Sequence, residues 1–410
     1  MHILFLTDNF PPEGNAPATR TYEHAREWVK KGVQVTIITG APNFPEGVVF
    51  KGYSNKWLHK ENIDGITVWR VKTYITANEG FVKRTLDFIS FMLSSFLFGL
   101  FTKKVDVVVG TSPQFFTAIS AWALAKLKRV PFVFELRDIW PASITAVGAM
   151  KKSKLISILE KIELFLYKQA SSIISVTNSF KSELIERGVE PNKIKVVLNG
   201  VDLSSFASQT DKDQEFVDTY SLNGKFIAGY IGTHGLAHSL DNIVKAAELL
   251  QAEDGIKFVF AGGGADRVRI EELVVKNNLS NIVMIPRQDK SNMPSLWSIC
   301  DVSLVHLKNT PLFKTVIPSK IFESMGMGLP IIMSVPEGES TKIVSDNNAG
   351  VIIPPENPSA LAQAVLSLSK DKDKLAKLRE GSAKAAKKFD RVVQANTMLT
   401  HIEETVRTNS

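Results

Sequence analysis

Apolar, β-branched runs alternate with longer stretches of helix-period apolar positions from one end of the chain to the other. In the first half the runs predict strands over 2–8, 33–39, 66–72, 105–111, 131–136, 171–177 and 194–199. Between them, 19–31, 115–128, 153–169 and 178–187 carry the helical period. Strand–helix alternation of this kind implies a parallel sheet covered by helices on both faces. The pattern breaks at Asn199-Gly200-Val201-Asp202, and a polar stretch without aliphatic clusters follows over 208–221. It then restarts, with strands predicted over 226–232, 256–261, 281–285, 301–306, 330–334 and 350–353. From about 358 onward the pattern is wholly helical, and 389–406 has no strand to pair with. The expected organisation is an α/β domain over 1–205, a linker over 206–224, a second α/β domain over 225–388 and a crossing helix over 389–410.

In open α/β sheets ligands sit at the carboxyl ends of the strands. Two such domains facing each other would offer one ligand edge each, an arrangement suited to a reaction between two substrates. Composition changes this picture little. At 410 residues, 44% hydrophobic and 22% charged, the chain falls among ordinary globular proteins. Its one cysteine, Cys300, excludes an internal disulfide framework and a multi-cysteine metal site. The first residues run straight into a strand-like segment without a signal-peptide core, so the expected location is cytoplasmic. The net charge of +7 favours anionic partners, but the excess Lys and Arg is spread thinly and no nucleic-acid-binding motif accompanies it. No nucleic-acid partner is expected.

The most informative segment is Pro318-Ser319-Lys320-Ile321-Phe322-Glu323-Ser324-Met325-Gly326-Met327-Gly328-Leu329-Pro330. It predicts a short helix opened by proline, closed at a glycine and followed by a buried strand. A helix N-terminus gathers unpaired N–H groups and the positive end of the dipole, so it suits phosphate. Glu323, a turn further in, supplies acceptor oxygens for a ribose diol. Together they outline a nucleotide seat; the plainer reading is an amphipathic helix with one exposed glutamate.

Other strand ends carry candidates of the same kind. The loop after the first strand, Asp8 to Arg20, is rich in Pro and Gly; there Gly14 and Asn15 could approach a ligand oxygen, or the loop could simply be a stiff surface turn. Strand 131–136 runs into Glu135-Leu136-Arg137-Asp138-Ile139-Trp140-Pro141, where charges leaving a buried strand are costly unless paired or used. Either Arg137 and Asp138 form a structural pair, or Asp138 orients an acceptor hydroxyl with Arg137 near an anionic group. Gly232-Thr233-His234-Gly235 precedes a helix, again favourable for phosphate, and Gly262-Gly263-Gly264 ends the next strand. Arg287 could meet a diphosphate or form a surface ion pair.

Two D-x-D triplets, Asp211-Lys212-Asp213 and Asp371-Lys372-Asp373, lie in Lys-rich, strand-free sequence and read as solvated charge rather than cation ligands. No His, Cys and carboxylate cluster resembles a zinc site, and no metal or cofactor is expected. Segment 86–101 is apolar nearly all round and uncharged from Phe88 to Phe101. It falls short of the about 20 residues a spanning helix needs. Lys83 and Arg84 precede it, and Lys103 and Lys104 follow. It is therefore either a buried helix or one resting on an anionic membrane surface.

Together these residues resemble family 4 of the retaining glycosyltransferases, whose architecture (GT-B) is two facing Rossmann-like domains. The motifs carrying the resemblance are Pro11-Pro12-Glu13-Gly14, Asn199-Gly200-Val201-Asp202 and Ser319 to Pro330. It implies transfer of a sugar from a nucleotide donor to an acceptor hydroxyl without a metal, the donor on the second domain and Glu323 on the ribose. The chain departs from the family pattern twice. Thr315 stands where a first glutamate contacts the donor sugar, and His234 and Gly235 stand where phosphate-binding Arg and Lys are usual. Lys320, Arg287 and the helix start are the expected substitutes, with Ser319, Ile321, Thr315, Gly232, Thr233, His234 and Gly262 completing the donor site. Asp138, Arg137 and Lys320 are expected to carry the chemistry. Arg-Asp-Ile-Trp-Pro, Gly-Thr-His-Gly and Pro-Ser-Lys-Ile-Phe-Glu look most like a bacterial subgroup building O-antigen or capsule, closest to N-acetyl-L-fucosamine transferases. That resemblance implies a UDP-sugar donor, an undecaprenyl-diphosphate-linked saccharide acceptor and work at the inner face of the cytoplasmic membrane. A nucleotide-sugar 2-epimerase of the same architecture and a non-catalytic UDP-sugar-binding subunit are the alternatives.

Overall fold

The computed structural model describes residues 1–44, 46–77, 81–112, 116–139, 154–206 and 211–409. Trp140, residues 115 and 153 at two predicted helix starts, and 207–210 of the predicted linker lie outside them. The chain forms two compact units, Met1–Leu198 with Arg391–Ser410, and Asn199–Asp390.

The first unit is built on an eight-stranded sheet. Its strands are β1 (His2–Leu6), β2 (Gln34–Thr39), β3 (Leu58–Ile63), β4 (Ile66–Val71), β5 (Val107–Thr111), β6 (Phe132–Leu136), β7 (Ser172–Ser175) and β8 (Ile194–Val196). They lie in the order β3-β4-β2-β1-β5-β6-β7-β8, every pairing parallel except β3 with β4. The helices between them are α1 (Ala16–Lys30), α2 (Phe81–Gly99), α3 (Phe116–Lys128), α4 (Lys154–Gln169) and α5 (Asn178–Glu186). Side chains alternate across a strand, so each strand feeds two cores. Ile3, Phe5, Val107 and Val109 pack on one face with Trp28 of α1. Leu4, Leu6, Val108 and Phe134 pack on the other with Phe91 of α2 and Leu124 of α3. Each fully buried aliphatic or aromatic side chain contributes about 1.5–3 kcal/mol. β3 is absent from the sequence reading because its polar residues are largely exposed at the sheet edge, leaving no apolar run to mark it.

The second unit opens at Asn199, and its first helix is α6 (Gln214–Thr219), a short helix inside the stretch expected to be linker, capped by Asp213, whose Oδ1 accepts from Phe216 N. Its sheet consists of β9 (Phe226–Ile231), β10 (Ile256–Ala261), β11 (Ile282–Ile285), β12 (Val302–His306), β13 (Ile331–Ser334) and β14 (Gly350–Ile353). All are parallel, in the order β11-β10-β9-β12-β13-β14. Around it run α7 (Leu240–Leu249), α8 (Arg267–Lys276), α9 (Met293–Ser298), α10 (Lys320–Gly326), α11 (Glu339–Asp346), α12 (Pro358–Lys370) and α13 (Lys372–Ala386). This strand order sets the end of β9 beside the ends of β10 and β12, three segments far apart in sequence.

The last helix, α14 (Arg391–Asn409), returns to the first unit. Ala395, Met398, Leu399 and Ile402 join the core on the α1 side of the sheet. Trp28 Nε1 donates to Ala395 O at 2.8 Å, and Arg391 Nε pairs with Glu23 Oε2 at 2.6 Å.

Candidate functional site

At the carboxyl edge of the second sheet, the β9 and β10 loops lock into each other through glycine. Gly232, Gly262 and Gly264 all take positive φ, 137°, 140° and 146°. A Cβ on Gly262 would collide with Gly232 O, and one on Gly264 would press on His234 O. Only glycine allows both the backbone conformation and this approach. Gly232 N donates to Ala261 O at 2.9 Å and His234 N to Gly263 O at 2.8 Å, fixing the pair.

Lys320, the first residue of α10, reaches this lock. It is 9% exposed, its Nζ stands 3.6 Å from the centre of the Tyr230 ring, and a Cβ on Gly232 would lie 3.3 Å from Nζ. Among the described residues the ammonium has no hydrogen-bond partner. Burial brings its pKa down from the ordinary lysine value to about 7, against the opposing pull of Glu323. A buried cation held only by an aromatic face is costly. Two histidines flank the same ring, and a third lies next to one of them. His234 and His238 lie 5.8 and 6.0 Å from the ring, and His306 closes β12, its carbonyl 3.1 Å from His238 Nδ1. Burial, reinforced by Lys320, takes His234 and His238 to about 4 and His306 to about 3, so all three are neutral near pH 7. Lys320 is thus the side chain of this cluster that gains charge near neutrality.

Several expected donor residues need correction. His234 is fully buried between Tyr230 and Phe260 and neutral, so it does not replace the missing phosphate-binding cation. Ile321 puts its side chain into the core and donates its N–H to Pro318 O. Phe322 and Glu323 N–H groups likewise close on Ser319 O, so the helix start offers fewer open donors than its spacing suggests. Other residues remain suitably placed. Glu323 is half-buried, and its Oε2 accepts from Trp297 Nε1 at 3.2 Å. Arg287 is exposed, its Cβ beside Gly263, and among the described residues it makes no ion pair. Ser319 and Thr233 are exposed; Thr233 O accepts from Tyr230 OH at 2.7 Å. Thr315 turns its hydroxyl onto Leu312 O at 3.2 Å.

In the first unit the charges around β6 are mostly structural. Arg20 and Glu135, each 1% exposed, pair at 2.8 Å, and Arg20 also donates to Leu198 O and Val197 O. Burial would raise Glu135, but Arg20 and Arg137 outweigh it and hold the carboxyl below its usual range. Ser112 Oγ accepts from the backbone N–H groups of Arg137 and Asp138, fixing the chain where it leaves the strand. Arg137 Nη1 reaches Pro17 O at 3.4 Å, and burial lowers its pKa to about 10. Asn15 caps α1, its Oδ1 accepting from Ala18 N. Gly14 is exposed, without positive φ, and a Cβ there would meet nothing, so glycine is not demanded at that position. Of the D-x-D aspartates, Asp213 and Asp371 are helix caps. Among the described residues no three His, Cys, Asp or Glu side chains gather as a metal-binding group.

Tyr230, His238, His306 and Trp297 were not among the expected site residues. Only the adjacency of β9 and β12 brings the first three together, and no spacing in the sequence announces it.

The Glycosyltransferase Family 4 model matches residues 17–205, and the Glycosyl transferases group 1 model matches 211–389. The chain is a glycosyltransferase of this group 1 and family 4 kind, with the GT-B fold. It is 27% identical over 336 residues to the Escherichia coli protein named as a colanic acid biosynthesis glycosyl transferase, WcaI, covering 80% of this chain and 82% of that one. Sucrose-phosphate synthase from Thermosynechococcus elongatus matches with a TM-score of 0.77 at 15% identity, over 99% of both chains. Anabaena Alr3699/HepE in complex with UDP-glucose matches with a TM-score of 0.73 at 15% identity, over 98% of this chain and all of that one. At such identities these two likenesses establish the fold.

Proposed function

We propose that the protein transfers a sugar from a UDP-sugar, held by the second unit, to a lipid-linked saccharide acceptor held by the first, in the assembly of a bacterial surface polysaccharide. The carrying observation is the buried, unpartnered Lys320 ammonium against Tyr230 and Gly232. A site that keeps an ammonium out of water with no hydrogen-bond acceptor among the described residues, and only the Glu323 carboxylate pulling on it from a distance, is completed by an anion, and a nucleoside diphosphate supplies one. As the bond between the sugar carbon and the β-phosphate oxygen breaks, charge grows on that oxygen. Lys320 then stabilises the transition state more than the ground state, with Arg287 at the rim. Glu323, steadied by Trp297, accepts from the ribose diol. In the first unit Asp138 orients the acceptor hydroxyl, with Arg137 beside it. The donor sugar we favour is an N-acetylated amino sugar of the L-fucosamine type, and the polysaccharide an O-antigen or capsule. The name of the Escherichia coli relative supports polysaccharide synthesis, and the UDP-glucose seen with the Anabaena structure supports a UDP-sugar donor.

The membrane side of the reading rests on α2. Phe91 and Ser95 are buried, while Val82, Leu86, Leu93 and Leu97 form an exposed stripe at helical spacing, continued by Leu100 and Phe101. The segment expected to be either buried or membrane-facing has one buried face and one exposed apolar face, and the exposed face supports the membrane reading. Among the described residues no helix is long and apolar enough to cross a membrane. An apolar stripe flanked by Lys83, Arg84, Lys103 and Lys104 suits anionic lipid at the inner membrane surface.

A thermal-shift screen without added metal tests the donor assignment. Stabilisation by UDP, and more by one UDP-N-acetylhexosamine, is expected; a shift with GDP alone, or with none, would overturn it.

A further inference from the structure

The first unit contains a cavity of about 220 Å³ between the loop after β1, residues 43–44, the end of β5 and the first turns of α2. Glu13, Asn15, Phe44, Arg84, Asp87 and Phe88 line it. Its carboxylates are not equivalent. Glu13 is spent on the fold: Oε1 accepts from Asn43 N and Phe44 N at 2.9 Å each, and Oε2 from Phe10 N at 3.2 Å. Asp8, at the end of β1, accepts from Asn9 Nδ2. Arg84 is drawn over the Phe88 ring, 5.6 Å from its centre. Asp87 is left half-buried, and among the described residues its side chain makes no hydrogen bond or ion pair. Burial, opposed by Arg84 and reinforced by Glu13, lifts its pKa to about 7. Among the described residues, the Arg84 charge is what offsets this carboxylate's burial.

We propose that this cavity is the seat of the acceptor's terminal sugar, a neutral ring lying against Phe44 and Phe88 with a hydroxyl donating to Asp87. The inference rests on the first unit being the acceptor side, and adds the chemical class of the sugar. Phenylalanine faces fit the apolar C–H surface of a pyranose, and a carboxylate accepts from hydroxyls. With Asp8, Glu13 and Asp87 as the lining carboxylates and Arg84 as the cation among the lining residues, an acidic sugar would meet net repulsion. Asp87 also lies on the helix whose outer face carries the exposed leucines, so a sugar in the cavity sits beside the surface proposed for its lipid.

Octyl glycosides of N-acetylglucosamine, galactose and glucuronic acid test this by saturation-transfer NMR on the full chain. At least one neutral glycoside should bind at millimolar concentration, and the glucuronide about tenfold more weakly or not at all. D87N should weaken the neutral glycoside about tenfold, the worth of one hydrogen bond to a charged group. It should also relax the discrimination against glucuronide. F88A should weaken the neutral glycosides without relaxing that discrimination. Binding to the wild type should strengthen as pH rises through about 7 and flatten in D87N; Arg84 on the same helix and Glu13 and Asp8 across the cavity are the other charged groups lining it. No neutral glycoside bound by the wild type, equal binding by D87N, or glucuronide bound as tightly as the neutral rings would each overturn the proposal. UDP stabilisation in the same samples reports the donor site separately: its loss with glycoside binding intact would sink the transfer reading and leave the cavity's role standing.

Discussion

Two buried cations lie close to the carboxyl edges of the two sheets, and the protein treats them in opposite ways. Arg20 is met by Glu135 at 2.8 Å and by two backbone carbonyls. Lys320 is met by a tyrosine face, and among the described residues its ammonium has no hydrogen-bond partner. A compensated charge holds the fold together; an uncompensated one costs stability until something binds. The first therefore marks structure and the second, on the proposed function, a ligand site, although both residues are nearly invisible to solvent. Burial alone does not separate the two roles, and the list of partners does.

The widest contrast should come from removing each cation. Arg20→Met strands Glu135 in the interior and should cost about 3–5 kcal/mol in a denaturant titration. Lys320→Met removes a charge without a hydrogen-bonded partner and should raise the melting temperature of the free protein by about 2–4 °C. If both variants destabilise alike, the distinction drawn between them fails. In the transfer assay Lys320→Met should lower kcat about 10²–10³-fold, the scale of losing one transition-state charge contact.

The pH dependence sharpens the same contrast. Lys320 has a folded pKa depressed to about 7, so the fold disfavours its protonated form. Its cost is full below about pH 7 and is relieved as pH rises toward the unfolded lysine value, so this residue makes the free protein more stable at alkaline pH. UDP affinity should move the other way, falling by up to about tenfold per pH unit above about 7, because the anion needs the protonated amine. A smaller effect is expected at the ribose: Glu323→Gln should lower kcat/KM for the donor about tenfold while leaving the melting temperature nearly unchanged. An unchanged kcat/KM would remove Glu323 from the donor site.

The alternation of apolar runs made both sheets legible, because parallel strands buried on two faces leave long apolar signatures. The edge strand β3 and helix α6 escaped, the one polar and exposed, the other short and set in a polar stretch. Lys320 and Glu323 were legible because a short motif joins them. The histidines near Tyr230 were not: His234 drew attention from its place between glycines before a helix, whereas the fold buries it beside Tyr230 and Phe260. Gly14 was read from its neighbours in sequence, and the space around it shows no need for glycine. Asp87 went unnoticed because it stands just ahead of the uncharged run of α2, and its significance comes from the cavity wall opposite.

The most direct test of Lys320 as the diphosphate cation is calorimetric UDP titration of wild type and Lys320→Met in buffers of different ionisation heat, between about pH 7.5 and 9.5. UDP completes its own ionisation below that window, since its second phosphate pKa is about 6. The account predicts uptake of close to one proton on binding to the wild type, affinity falling with pH, and loss of both in the variant. Proton-neutral binding with a flat pH profile, or equal UDP affinity in the variant, would contradict it.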